Sequence, residues 1–152
     1  MDTPLGILEI IGTNEAVSSI LFVEREEGVY MRGDDTPDVL IDCHDQLVEY
    51  FNGSRRTFSF PVRVKGTDFQ KRVWKGLLDL AYGETGSYKE LALSIGNEKA
   101  IRAVGSANGK NKLSIVIPCH RIIGSNGTMT GYAGGVWRKE WLLRHEGKHE
   151  NS

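Results

Sequence analysis

Residues 115–121, Ile-Val-Ile-Pro-Cys-His-Arg, place a thiol, an imidazole and a guanidinium in consecutive positions behind an apolar run and a proline. The thiolate is the nucleophilic form of cysteine, and neighbouring cations favour it over the thiol. Cys119 is therefore the candidate nucleophile, with His120 and Arg121 as the neighbours that activate it. An arbitrary cysteine more often packs as a small hydrophobe; the charges after this one and the proline before it argue for chemistry. Ile115, Val116 and Ile117 predict a stiff, buried strand. Pro118, with no N–H and a fixed φ, should end it, leaving Cys119 at a rigid strand terminus.

The flanking segments must position this group. Ahead of it, Thr67-Asp68 is an N-cap signal, and Phe69, Val73, Trp74, Leu77, Leu78 and Leu80 form an amphipathic helical face closed by Gly83. Ser87 and Glu90 have the spacing of a capping box and open a helix through Leu91, Ala92 and Ile95. A turn at Gly96-Asn97 leads into a further helix from Lys99 to Gly109, so the pair has the layout of a helix-turn-helix. Any αα-hairpin shares that layout, so this feature alone leaves DNA contact open. Behind the cysteine, residues 124–135 hold Gly124, Gly127, Gly131, Gly134 and Gly135, which permit close backbone approach to a ligand. Tyr132 lies among them as a candidate pocket wall. Residues 139–147 read as a last helix ending at Gly147.

The first part of the chain has another character. Short apolar runs at Leu5–Leu8, Ile10-Ile11, Val17–Val23 and Val29–Met31, separated by turn residues, predict two or three antiparallel strands. Residues 37–52 predict a helix with Val39, Leu40, Cys43, Leu47, Tyr50 and Phe51 on its inner face, and residues 54–65 an extended connector. Two domains are expected, residues 1–65 and 66–152. Their charges differ: the first holds 6 Lys/Arg and 12 Asp/Glu, net −6, and the second 13 and 8, net +5. A basic half inside a chain of net charge −1 suggests a polyanion partner. Nothing approaches the length of a membrane span, and the Met-Asp-Thr-Pro-Leu-Gly start has no secretory signal pattern. Cys43 and Cys119 do not make a disulfide framework, so a cytoplasmic protein with a free Cys119 thiol is expected, nuclear if the source is eukaryotic.

Ile-Pro-Cys-His-Arg, preceded by Arg-Ala-Val-Gly and followed by Tyr-Ala-Gly-Gly and Glu-Trp-Leu-Leu-Arg-His-Glu-Gly, resembles the O6-alkylguanine-DNA alkyltransferase family, the methylated-DNA–protein-cysteine methyltransferases. The similarity is close over about residues 66–147 and looser over the Thr3-Pro4-Leu5-Gly6 start. It implies an α+β fold with a ribonuclease-H-like N-terminal domain and a winged-helix-like C-terminal domain. It implies DNA repair by direct reversal: one irreversible alkyl transfer from the O6 of a flipped guanine to Cys119. By resemblance His120 is the base toward Cys119 through a water, Glu146 orients His120, Asn111 braces the network and Tyr88 donates a proton to the departing purine. Arg102 enters the stack vacated by the base, and Ala103, Ser87 and Ser125 lie along the DNA. Tyr132, Ile122, Ala133 and Gly134 form the alkyl and base pocket. The implied partner is duplex DNA carrying O6-alkylguanine, with O4-alkylthymine left open. A monomer is expected, with no cofactor, metal or membrane.

The chain departs from the family pattern in places. Lys112 follows Asn111 where the family usually has proline, which leaves the loop and the pocket wall at Leu113 and Ser114 differently shaped. Asn108 stands where a larger apolar residue can occur. Cys43-His44 lacks the further ligands of a closed zinc site, so Cys43 is read as core and His44 as surface. Two rivals remain at this stage: a Cys-His hydrolase, and a DNA-binding lesion sensor without chemistry.

Overall fold

The computed structural model describes residues 1–24, 33, 35–124 and 132–147. The chain divides into two compact units, Met1–Val64 and Lys65–Ser152. In the first, β1 (Asp2–Thr3), β2 (Gly6–Gly12) and β3 (Val17–Val23) form an antiparallel sheet in that order. Ile7, Leu8, Val17 and Ile20 are buried in it. Helix α1 (Asp38–Phe51) packs on β2 and β3, burying Cys43, Leu47 and Tyr50, which helical spacing puts on one face. The connector that follows is extended where expected: Val17 N–H donates to the Pro61 carbonyl at 3.0 Å, and Arg63 N–H to the Val17 carbonyl at 2.8 Å. The predicted run Val29–Met31 lies outside the described residues.

The second unit is mainly helical. Helix α2 (Asp68–Leu77) opens with a capping box in which Thr67 and Gln70 exchange hydrogen bonds. It ends at Leu77, not at Gly83 as its apolar spacing suggests. The chain tightens there, with Asp79 N–H on the Gly76 carbonyl and Leu80 N–H on the Leu77 carbonyl, and Leu78 points outward at 56 % exposure. Next come β4 (Gly86–Ser87), α3 (Tyr88–Ser94) with the anticipated Ser87–Glu90 capping box, and α4 (Ile101–Gly109). Helices α3 and α4 pack on each other and on α2, and the Trp74 indole N–H donates to the Ala107 carbonyl at 2.9 Å. Strand β5 (Ile122–Ile123) pairs in parallel with β4. Helix α5 (Val136–His145) starts three residues earlier than its charge pattern indicates, and Gly147 closes it with positive φ. Among the described residues no helix is long and apolar enough to cross a membrane.

The expected strand at residues 115–117 is absent. Those residues form a turn, with Ile115 and Ile117 buried and Val116 half-buried: Val116 N–H donates to the Ser114 carbonyl, Ile117 N–H to the Leu113 carbonyl, and Ile115 has φ 73°. A short apolar run reports burial without reporting conformation. A β-branched residue in the left-handed region costs about 1–3 kcal/mol and persists only where its surroundings over-determine it.

Gly12, at the irregularity between β2 and β3, has no room for a side chain. An added Cβ would lie 2.6 Å from the Ala16 carbonyl oxygen and 2.9 Å from Val17 Cα, both backbone atoms. Gly12→Ala is predicted to destabilise the protein by about 1–3 kcal/mol, the range for overpacking. The check is urea denaturation; an unchanged midpoint would refute the clash.

Candidate active site

Pro118, at φ −81° and ψ 62°, makes an inverse γ-turn in which Cys119 N–H donates to the Ile117 carbonyl at 2.8 Å. The chain then enters a single 3-10 turn, Cys119–Arg121. The turn splits its three side chains between two environments. Cys119, 7 % exposed, faces Asn111, whose side-chain amide donates to Sγ at 3.3 Å. His120 and Arg121 go to Glu146 at the end of α5.

Asn111 fastens the nucleophile loop. Its amide nitrogen also reaches the carbonyls of Ile117 at 2.9 Å and Leu113 at 3.3 Å, and its carbonyl accepts the Leu113 N–H at 3.0 Å. Lys112, which follows it, is exposed. Asn108, buried on α4, adds a long bond from its amide to the Cys119 carbonyl at 3.5 Å.

Glu146 is held by two cationic-capable partners. Arg121 donates through Nε to Oε1 at 2.8 Å and through Nη2 to Oε2 at 3.1 Å, and Oε2 lies 2.8 Å from His120 Nε2. Burial alone would raise the Glu146 pKa; the hydrogen bonds of His120 and Arg121, with the Arg121 charge, outweigh it and hold the carboxyl well below its usual range. An ionised carboxylate only accepts, so Nε2 of His120 carries the proton. That leaves Nδ1 with a lone pair, and among the described residues nothing bonds to it. Burial lowers the His120 pKa, so the ring is neutral, with the proton on Nε2 and Nδ1 available as a base. Arg121 also donates to the Leu80 carbonyl at 2.7 Å, and Tyr82 donates to the His145 carbonyl at 3.2 Å. The turn before β4 thus supports this group, and Gly83 serves there with φ 83°, where a Cβ would stand 3.2 Å from the Glu146 carbonyl.

The electrostatics correct one expectation. Burial pushes the Cys119 thiol up, against the Asn111 hydrogen bond and the charge of Lys139, which pull it down. Arg121 does not activate the sulfur, because its guanidinium is committed to Glu146. At neutral pH Cys119 rests as a thiol, and the thiolate must be made by proton removal.

Tyr132 is buried beside Cys119 and Ser114, and burial and the Cys119 charge both push its phenol up. Ile122 is buried in β5, Ala133 is exposed, and the Gly134 carbonyl accepts from Arg138 at 2.8 Å. Tyr88 opens α3, half-buried, and a Cβ on Gly105 would lie 3.7 Å from its ring. Arg102 and Ala103 are exposed on α4, opposite its buried Val104, Ala107 and Asn108. The Ser87 hydroxyl accepts the Glu90 N–H in the helix cap. Ser125 lies outside the described residues. In the other unit Cys43 is core, its thiol pushed up to about 12 by burial, and the side chain of His44 is 38 % exposed. Sequence reasoning missed Lys139, which is fully buried; a lysine one turn inside an amphipathic helix gives no signal that it faces inward.

Known proteins resemble the chain along nearly all of its length. Residues 1–64 match the family profile of the 6-O-methylguanine DNA methyltransferase ribonuclease-like domain, and residues 68–148 that of the DNA binding domain. A constitutive methylated-DNA–protein-cysteine methyltransferase of Bacillus subtilis is 46 % identical over 153 residues, covering 95 % of this chain and 92 % of that protein. One from Methanosarcina barkeri is 40 % identical, covering 96 % and 94 %. The crystal structure of Mycobacterium tuberculosis OGT in complex with DNA superposes with a TM-score of 0.85 at 43 % identity, covering 96 % of this chain and 89 % of that one.

The neutral, buried His120 carries a pH signature. Its folded pKa is depressed, while in the unfolded chain it is about 6.5. Below that value the unfolded state binds a proton that the folded state refuses, so this residue makes stability fall as pH drops below about 6.5. The melting temperature of the wild type is predicted to decline from pH 7 to pH 5 more steeply than that of His120→Gln. One proton corresponds at most to about 1.4 kcal/mol per pH unit. Parallel declines would show that His120 is not the group responsible.

Proposed function

Because the chain belongs to the 6-O-methylguanine DNA methyltransferase family, we propose that it repairs DNA by transferring the alkyl group of O6-alkylguanine to Cys119. The observation that carries the assignment to this sulfur is the Asn111–Cys119 contact beside the buried His120–Glu146–Arg121 group. His120 Nδ1, with its free lone pair, takes the thiol proton through a water. Glu146 stabilises the imidazolium that results, as carboxylates do in cysteine and serine triads.

Sγ then attacks the alkyl carbon. The sulfur–carbon bond forms as the carbon–O6 bond breaks, and the departing electron pair is neutralised on guanine by the proton of Tyr88. The proton on His120 returns to Tyr88 through solvent, leaving guanine and an S-alkyl cysteine. The reacting oxygen lies inside the duplex stack, so the nucleotide must be flipped out, at a cost of a few kcal/mol. Arg102, exposed on α4, fills the space it leaves. The small residues Ala103, Gly105 and Ser106 allow the helix to approach the backbone closely, in the minor groove. Tyr132, Ala133, Gly134 and the Ile122 backbone enclose the base, and Ser87 lies along the strand. The DNA complex of the mycobacterial relative supports DNA as the partner.

Incubation with a duplex carrying one O6-methylguanine is predicted to add one methyl mass to the peptide containing Cys119. The yield should plateau at one lesion per protein, because a thioether offers water no carbonyl to attack. Cys119→Ser should abolish the transfer while keeping lesion binding. Steady turnover on excess DNA would overturn the reading and bring back a hydrolase.

Arg102→Ala should slow repair of duplex DNA at least tenfold more than reaction with free O6-alkylguanine base, which has no stack to leave. The two single-turnover rate constants decide it, and equal losses on both substrates would assign Arg102 a structural role.

A further inference from the structure

Lys139 is the one fully buried lysine among the described residues. It lies two helical turns before Glu146 on α5, and Leu142, Leu143 and Glu146 share its buried face. Helix α5 packs against the 3-10 turn that carries Cys119. Burying an ammonium is costly unless its charge is used. Its pKa falls to about 8 through burial, opposed by the Cys119 charge, so at neutral pH it remains mostly protonated.

The other charges of the site are already committed. Arg121 is bidentate on Glu146, and His120 is neutral by burial. Arg138 donates to the Gly134 carbonyl, and its guanidinium lies 4.6 Å from the Trp137 ring centre. The other titratable groups near the sulfur are Tyr132, whose burial keeps it protonated, and Glu146. Helix α2, which also packs against the 3-10 turn, buries Val73, Trp74 and Leu77 and presents no titratable group from that face. In the loop before Cys119, Asn111 and Ser114 are uncharged and Lys112 is exposed.

We propose that Lys139 is a positioning residue for alkyl transfer: its ammonium, sealed on the α5 face that also carries Glu146, supplies the positive charge that stabilises Cys119 as a thiolate when the thiol proton leaves. The proposal deepens the assignment of Cys119 as the alkyl acceptor and rests on it. The division of labour is economical. The Glu146–Arg121 pair is neutral and serves the base, while Lys139 serves the nucleophile. The same cation disfavours protonation of His120, so it speeds formation of the thiolate only through its stronger hold on the sulfur. After transfer the thioether is neutral, and Lys139 has lost the anion it stabilised.

The test is the pH dependence of Cys119 alkylation by iodoacetamide, a neutral probe that needs neither DNA nor base flipping, followed by peptide mass so that Cys43 is counted separately. Lys139→Met is expected to move the midpoint of the rate profile up by about one unit, roughly a tenfold loss at pH 7, as removing an opposite charge should. Lys139→Arg is expected to keep most of the wild-type profile. A purely structural lysine would lower the melting temperature and leave the midpoint in place, and that outcome overturns the proposal. Failure of methyl transfer from DNA with the midpoint shift intact would instead overturn the function proposed above.

Discussion

The site depends on where the charge of Glu146 goes. A single buried carboxylate takes two hydrogen bonds from Arg121 and one from His120. The guanidinium cancels its charge, and the bond to Nε2 fixes the imidazole tautomer. An unpaired buried carboxylate would protonate or drag water inward. Paired in this way it stays ionised and dry, and it turns the free nitrogen of the ring away from itself. The fold arranges the rest around that contact: the turn at residues 80–83 gives Arg121 a carbonyl, and α5 delivers the carboxylate at its last turn.

Much of this was legible in the sequence. The Pro-Cys-His-Arg segment singled out Cys119 as the candidate nucleophile, and the Ser87–Glu90 spacing marked the start of α3 with its actual cap. Both are local signals, in which the residues that bond lie within a few positions of one another. The antiparallel β2–β3 pair and the inner face of α1 were legible for the same reason. The resemblance to a known family added the long-range partner Glu146, which no local pattern connects with His120.

What stayed hidden was decided by tertiary context. Ile115–Ile117 has the composition of a strand, yet among the described residues no strand pairs with it, and its own backbone bonds and Asn111 hold it as a turn. Arg121 reads as an activator of Cys119 because it is two residues away, but a 3-10 turn sends neighbouring side chains in different directions. Burial then raises the thiol that the local charges were expected to depress. Lys139 looks like one more cation on an amphipathic helix, and only the packing of α5 reveals that it faces inward.

The separation of His120 from Glu146 also sets an order of assembly. The bond between them spans 26 positions, and its loop must close before the imidazole is fixed, which costs entropy that a local contact avoids. A growing chain that has emerged only through Arg121 has its cysteine but not its buttress. Competence therefore arrives late and all at once, with the docking of α5. A nascent or partly unfolded chain carries an ordinary thiol, and the specialised one exists only in the completed unit.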